Sequence, residues 1–202
     1  WGDGSTTTYD QLIGWPSHTY ATVGKYTVTA TGLCMGLMQT LYGNDEPEWK
    51  DEIISKALSE YEPFITQLIH IGKDMGIMSM SRAFAWQTKL TEIPADIFDG
   101  LTEVVDFSGA FGGCTGITSI PAGLFDKCTK VTNFGQTFYM CTGLTGESPY
   151  TTIKVDGNDV KVHLYERGLL PSYFTNPTNC YGCFDGCDKL TDFAEITAAG
   201  WN

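Results

Sequence analysis

Cys180-x-x-Cys183-x-x-x-Cys187 is the densest run of reactive side chains in the chain, and the first chemistry it suggests is zinc. A structural Zn²⁺ takes four tetrahedral ligands from Cys and His. The run offers three, with no second Cys-x-x-Cys and no His pair nearby to complete the set. Packing of small apolar thiols is therefore the preferred reading, with a disulfide and a metal as alternatives. His18, His70 and His163 are scattered, and no Gly-x-Ser-x-Gly, His-Glu-x-x-His or phosphate-cradling Gly-x-x-x-x-Gly-Lys accompanies them. Asp3 in Trp-Gly-Asp-Gly is a lone carboxylate, whereas a calcium loop needs carboxylates at alternating positions. It is expected to cap its own turn. Asp51-Glu52 falls on the solvated face of a predicted helix. No catalytic residue, no metal ligand and no cofactor is expected, so the chain reads as a non-enzyme.

Composition narrows the classes further. The chain has 202 residues, 42% of them hydrophobic, enough for a substantial core. Its formal net charge of −12 repels phosphate backbones and anionic headgroups, which argues against nucleic acid or membrane-surface partners. Apolar runs are only a few residues long, so no segment is expected to insert in a bilayer. Seven cysteines leave at least one without a partner in the chain. The chain starts at Trp1 without an initiator Met, which leads to the expectation of a processed product whose targeting segment has been removed.

The elements that position these residues emerge when the sequence is slid against itself. A shift of 27 residues lays AFAWQTKLTEIPADIFDGLTEVVDFSG (83–109) on AFGGCTGITSIPAGLFDKCTKVTNFGQ (110–136). Phe84 falls on Phe111 and then Phe138, Leu90 on Ile117 and Leu144, and Ile93-Pro94 on Ile120-Pro121. IMSMSRAF, VVDFSGAF, VTNFGQTF and, more loosely, PTNCYGCF precede or contain each anchor Phe. A degenerate last copy, CFDGCDKLTDF (183–193), keeps the spacing of Phe184 and Leu190. Within one copy the apolar spacing fits neither helix nor strand. Between copies it is regular, which predicts a solenoid whose equivalent side chains stack in columns. Cys187 then takes the place of Cys114 and Cys141, and Cys183 that of Ala83, Ala110 and Thr137.

LTEIPADIF and ITSIPAGLF, with their Phe-x-x-Cys-like segments and following Leu-Thr, resemble the BspA-like leucine-rich repeats of bacterial surface proteins. The resemblance covers 77–145 and 169–193. It implies a cell-surface or secreted location and adhesion to an extracellular protein or glycan. WGDGSTTT (1–8) and HTYATVGKYTVTATG (18–32) are similar to the second half of a PKD domain, an immunoglobulin-like β-sandwich. The matching residues are Trp1, Gly2, Asp3, Gly4, His18, Thr19, Tyr20, Gly24, Tyr26, Thr27 and Val28. Independently, Tyr26, Val28 and Ala30 alternate with threonines as in a half-buried strand.

Three further elements follow from local pattern. Residues 44–64 predict an amphipathic helix with Trp49, Ile53, Ala57, Leu58 and Tyr61 on one stripe. FITQLIHIG (64–72) predicts a strand. Two alternating runs around Asp156-Gly157 (151–167) predict a β-hairpin insertion, spanning about 147–168 with its flanks. The expected fold class is thus mainly β with some α: a short leucine-rich-repeat solenoid preceded by a partial Ig-like segment and one amphipathic helix. Residues 1–32 form the PKD-like segment, 33–63 a connector with the helix, and 64–202 the repeat domain.

Function is then expected on the outward columns. The position two after each anchor Phe is Trp86, Gly113, Met140 and Gly186, an alternation that predicts a grooved face. A groove edged by Trp86 and Met140, near Tyr165 of the insertion, is the expected ligand contact. The leading expectation is a non-enzymatic adhesion module. A carbohydrate-binding accessory module, favoured by 13% aromatic residues, and a structural spacer are the alternatives.

Overall fold

The computed structural model describes residues 2–6, 21–22, 24–27, 65–69, 71 and 76–202. The chain divides into two compact units, Trp1–Gly32 and Leu33–Asn202. The amphipathic helix expected over 44–64 lies outside the described residues, as do Trp1, His18 to Tyr20, Val28, Ala30, Cys34 and His70.

In the first unit Asp3 caps its own turn. Its Oδ1 accepts the Ser5 N–H at 3.0 Å and the Ser5 hydroxyl at 2.6 Å. The Tyr26 hydroxyl donates back to the Thr22 carbonyl at 2.8 Å, four residues upstream. Residues 24–27 form no strand.

The described residues of the second unit are mostly in turns and loops. Its regular elements among the described residues are β1 (Tyr150–Val155), β2 (Asn158–His163), a 3-10 helix (Leu164–Leu169) and helix α1 (Phe193–Ala198). The strand expected over 64–72 is absent from its described part. Ile65, Leu68 and Ile71 pack against the core instead, while Ile69 stays 64% exposed.

Order elsewhere comes from contacts between sequence copies. Met80, Arg82, Phe84 and Trp86 donate their N–H groups to the carbonyls of Asp106, Ser108, Ala110 and Gly112 at 2.7–2.8 Å. Phe107, Gly109, Phe111 and Gly113 repeat the pattern onto Asn133, Gly135, Thr137 and Tyr139 at 2.6–2.9 Å. Phe134, Gln136, Phe138 and Met140 repeat it onto Asn179, Tyr181, Cys183 and Asp185 at 2.7–2.9 Å. Parallel bridges Ser79↔Asp106, Asp106↔Asn133 and Asn133↔Asn179 sit at the head of each row. A turn-rich backbone thereby pairs its polar groups in the interior, as burial requires.

Side chains follow the same register. Phe84, Phe111, Phe138 and Phe184 lie ring on ring, with centroids 5.3, 5.6 and 5.6 Å apart. Leu90, Ile117, Leu144 and Leu190 are buried beside them. Ser79, Asp106, Asn133 and Asn179 each accept, through a side-chain oxygen, the N–H two residues on, at 2.8–3.2 Å. One residue class per copy thus starts the turn by capping it.

Both ends of this core are covered. Gln87 stands where later copies have Cys114, Cys141 and Cys187, and its Oε1 accepts the Ile65 N–H at 2.8 Å. At the other end Cys180 replaces the bulk of Met80, Phe107 and Phe134. The Trp201 ring fills in, 6.0 Å from Phe134, while the Trp201 carbonyl accepts the Phe184 N–H at 3.0 Å. Between the third and fourth copies the chain makes the hairpin. β1 pairs antiparallel with β2 from Tyr150↔His163 to Val155↔Asn158, and Asp156 and Gly157 turn with φ of 51° and 83°. Two successive positive φ values are the two-residue hairpin turn that matches strand twist.

Candidate functional site

Two positions per copy adopt left-handed backbone. Arg82, Gly109, Gln136 and Gly182 occupy the first, with φ of 53–63°, and Trp86, Gly113, Met140 and Gly186 the second, with φ of 56–79°. Glycine takes this conformation freely, whereas each non-glycine residue costs about 1–2 kcal/mol. The side chains offset that cost by covering the glycine of the next copy. A Cβ on Gly113 would lie 2.1 Å from the Trp86 ring, and one on Gly186 2.8 Å from the Met140 sulfur. Arg82 Cγ and Gln136 Cγ lie in the same way over Gly109 and Gly182. The alternation therefore builds a filled ridge rather than the open groove expected between Trp86 and Met140. Trp86 is half-buried in it, and Met140 is 39% exposed.

Tyr165 belongs to the insertion. It lies in the 3-10 helix, half-buried, with its ring parallel to that of His163 at 5.2 Å and an interplanar angle of 6°. Burial first, and then the charges of Asp192, Glu166, Glu195 and Glu147, push its phenol up to about 12. Arg82 and Gln136, which share the ridge, escaped the sequence reading, although their alternation with Gly109 and Gly182 carries the same signal as Trp86 and Met140.

His163, Ser148 and Asp192 bring together the residue types of a nucleophilic triad, in an order that does not perform one. The Ser148 hydroxyl donates to Asp192 Oδ2 at 2.5 Å, and the Ser148 N–H reaches Oδ1 at 3.0 Å. His163 Nε2 lies 3.7 Å from the same Oδ2, too far for a hydrogen bond. A triad places the imidazole between nucleophile and carboxylate. Here the carboxylate is in the middle, and Ser148 is 1% exposed. The group ties the insertion to the loop that starts α1.

The cysteines form another column. Cys114, Cys141 and Cys187 donate their thiols to the carbonyls of Phe84, Phe111 and Phe138 at 2.9, 3.0 and 3.1 Å. Burial pushes the Cys114 and Cys187 thiols up to about 12 and Cys141 higher still, so they stay protonated and inert. Cys183 is fully buried in the column of Ala83, Ala110 and Thr137, and half-buried Cys180 is pushed up to about 11. The six described cysteines are free thiols. Among the described residues no three His, Cys, Asp or Glu side chains converge on a metal-sized site, and no helix is long and apolar enough to cross a membrane.

One crevice lies at the root of the hairpin, between Leu124, Phe125, Pro149, Tyr150, Thr151, Leu164 and Arg167. It holds about 10 Å³, at most one water. Arg167 fills its depth. Its guanidinium donates to the carbonyls of Phe125 and Cys128 at 2.5 and 3.2 Å and lies 4.0 Å over the Phe174 ring. Exposed large apolar side chains flank other parts of the insertion and the last copy: Leu169 at 77%, Tyr181 at 76% and Tyr173 at 55%.

Comparison with protein-family models, with curated proteins and with solved structures gives no match.

Proposed function

We propose that the chain is a non-enzymatic binding module, on a cell surface or secreted, whose repeats form a short solenoid of the BspA-like leucine-rich kind. A PKD-like segment precedes it, a reading supported by the return of the Tyr26 hydroxyl to the Thr22 carbonyl, a corner found in immunoglobulin-type sandwiches. The observation that carries the proposal is the row of interlocking backbone hydrogen bonds between successive copies. Such a scaffold keeps outward side chains in columns on a rigid support, which suits recognition of an extended macromolecule. The ridge of Arg82, Trp86, Gln136 and Met140 is the proposed contact. Tyr165 acts as its scaffold counterpart in the insertion.

An extracellular protein is the preferred ligand. A glycan is the second reading, favoured by the exposed Tyr181 and Tyr173, whose rings offer stacking faces. An array of matrix proteins and glycans probed with the 202-residue chain tests both. Trp86→Ala and Met140→Ala are expected to weaken binding of a protein hit about tenfold or more, the loss usual for an anchoring contact. Tyr181→Ala is expected to do so only for a glycan. Unchanged affinity in all three variants, with folding intact, contradicts the proposed surface.

A further inference from the structure

The hairpin presents strand edges that the stacked copies leave unpaired over most of their length. Thr151, Ile153 and Val155 share one face with Val162, Val160 and Asn158, and Tyr150, Thr152 and Lys154 share the other with His163, Lys161 and Asp159. Val155 and Val160 of the apolar face are 44% and 38% exposed. Because the turn has two residues, the pairs Val155/Asn158, Ile153/Val160 and Thr151/Val162 bond to each other. The N–H and C=O groups of the alternate residues then point outward. The Tyr150 carbonyl follows this rule by accepting the Gly123 N–H at 2.8 Å, as does the His163 N–H, which donates to Glu166 at 2.8 Å. Farther out, Thr152 and Lys154 line one free edge and Asp159 and Lys161 the other. A two-stranded sheet is marginal alone, and natural proteins guard such edges or use them.

Charge selects both the edge and the occupant. The chain carries −12, yet residues 150–163 hold Lys154 and Lys161 against Asp156 and Asp159 and are neutral. Two like-charged molecules meet there without the repulsion their other surfaces impose. We propose that two copies of this chain pair through β2, antiparallel, about a two-fold axis at Val160. This register sets Asp159 against Lys161 of the second copy and Lys161, which also pairs with Glu147 of its own chain at 2.5 Å, against its Asp159, at the residues whose backbone groups face outward. Lys154 already pairs with Asp159 at 2.7 Å, so each row runs Lys154, Asp159 and Lys161 of the second copy in alternating sign and ends on that copy's uncharged Thr152. Pairing through β1 would oppose Thr152 and Lys154, with no such complement.

The test uses the position on the axis. Two Val160 residues would face each other as a non-hydrogen-bonded pair with Cα atoms about 4.5 Å apart, inside the span a disulfide bridges. Val160→Cys, in a Cys34→Ser background, is expected to give a disulfide-linked dimer on mild oxidation, while Thr152→Cys in the same background stays monomeric. Sedimentation of the unmodified chain is expected to show weak, concentration-dependent dimers, loosened on the order of tenfold by Asp159→Lys as two attractions become repulsions. A chain monomeric at every concentration, or a cross-link equal in both cysteine variants, overturns the proposal.

Discussion

Replacing Phe111 by Ala is expected to lower the stability of the repeat body by about 3–5 kcal/mol, the range for a buried aromatic side chain truncated without repacking. Phe111 is fully buried and stacks at 5.3 Å on Phe84 and 5.6 Å on Phe138, with Phe98 at 6.0 Å. Neighbouring rings cannot collapse into the gap, because interlocking backbone hydrogen bonds on both sides fix their spacing. Since each copy contacts mainly its neighbours, the loss is expected to split the unfolding transition as well as lower it. Urea denaturation of Phe111→Ala beside Tyr181→Ala, an exposed control, measures the effect. A Phe111→Ala midpoint equal to the control's contradicts the stacked core.

Arg167→Ala is expected to cost about 2–4 kcal/mol, for reasons other than size. The side chain reaches from the insertion to two carbonyls of the second copy, where an uninterrupted third copy would have supplied its own turn. Charged donors to buried carbonyls contribute about 1.5–3 kcal/mol each, less the cost of burying the guanidinium. That cost is visible in Arg167 itself, which burial lowers to about 10, still high enough to stay charged at neutral pH. Arg167→Lys is expected to recover only part of the loss, since an ammonium does not reproduce the planar fork or its stacking on Phe174. Thermal unfolding of the two variants reads this directly. If Arg167→Ala melts like the unmodified chain, the insertion is not anchored through this residue.

Much of the repeat body was legible because large apolar residues keep one register through irregular spacing. Phe84, Phe111 and Phe138 announce a column by type alone, and Asp156-Gly157 between alternating runs announces a two-residue turn. What stayed hidden depends on chemistry that letters disguise. Ser79, Asp106, Asn133 and Asn179 look unrelated, yet each offers one side-chain oxygen to the same N–H. Trp86 and Met140 read as the rims of a groove because their left-handed backbone, which lays them across Gly113 and Gly186, leaves no mark in residue type. Tyr165 stood out as a surplus aromatic. Its partner His163 lies two residues away, and only the strand-to-helix turn between them makes the rings parallel. Arg167 meets its carbonyls across some forty residues, a distance no local pattern spans.

Native-state hydrogen exchange, resolved by residue, tests most directly whether successive copies stack in register. The Phe84, Phe111 and Phe138 amides donate to Ala110, Thr137 and Cys183 of the next copy at 2.8–2.9 Å. They are expected to exchange on the order of a thousandfold or more slowly than the Asp156 and Gly157 amides of the hairpin turn, about 4 kcal/mol of protection. Their protection is expected to fall together in Phe111→Ala. Exchange of these three amides at the rate of the hairpin turn would contradict the stacked arrangement.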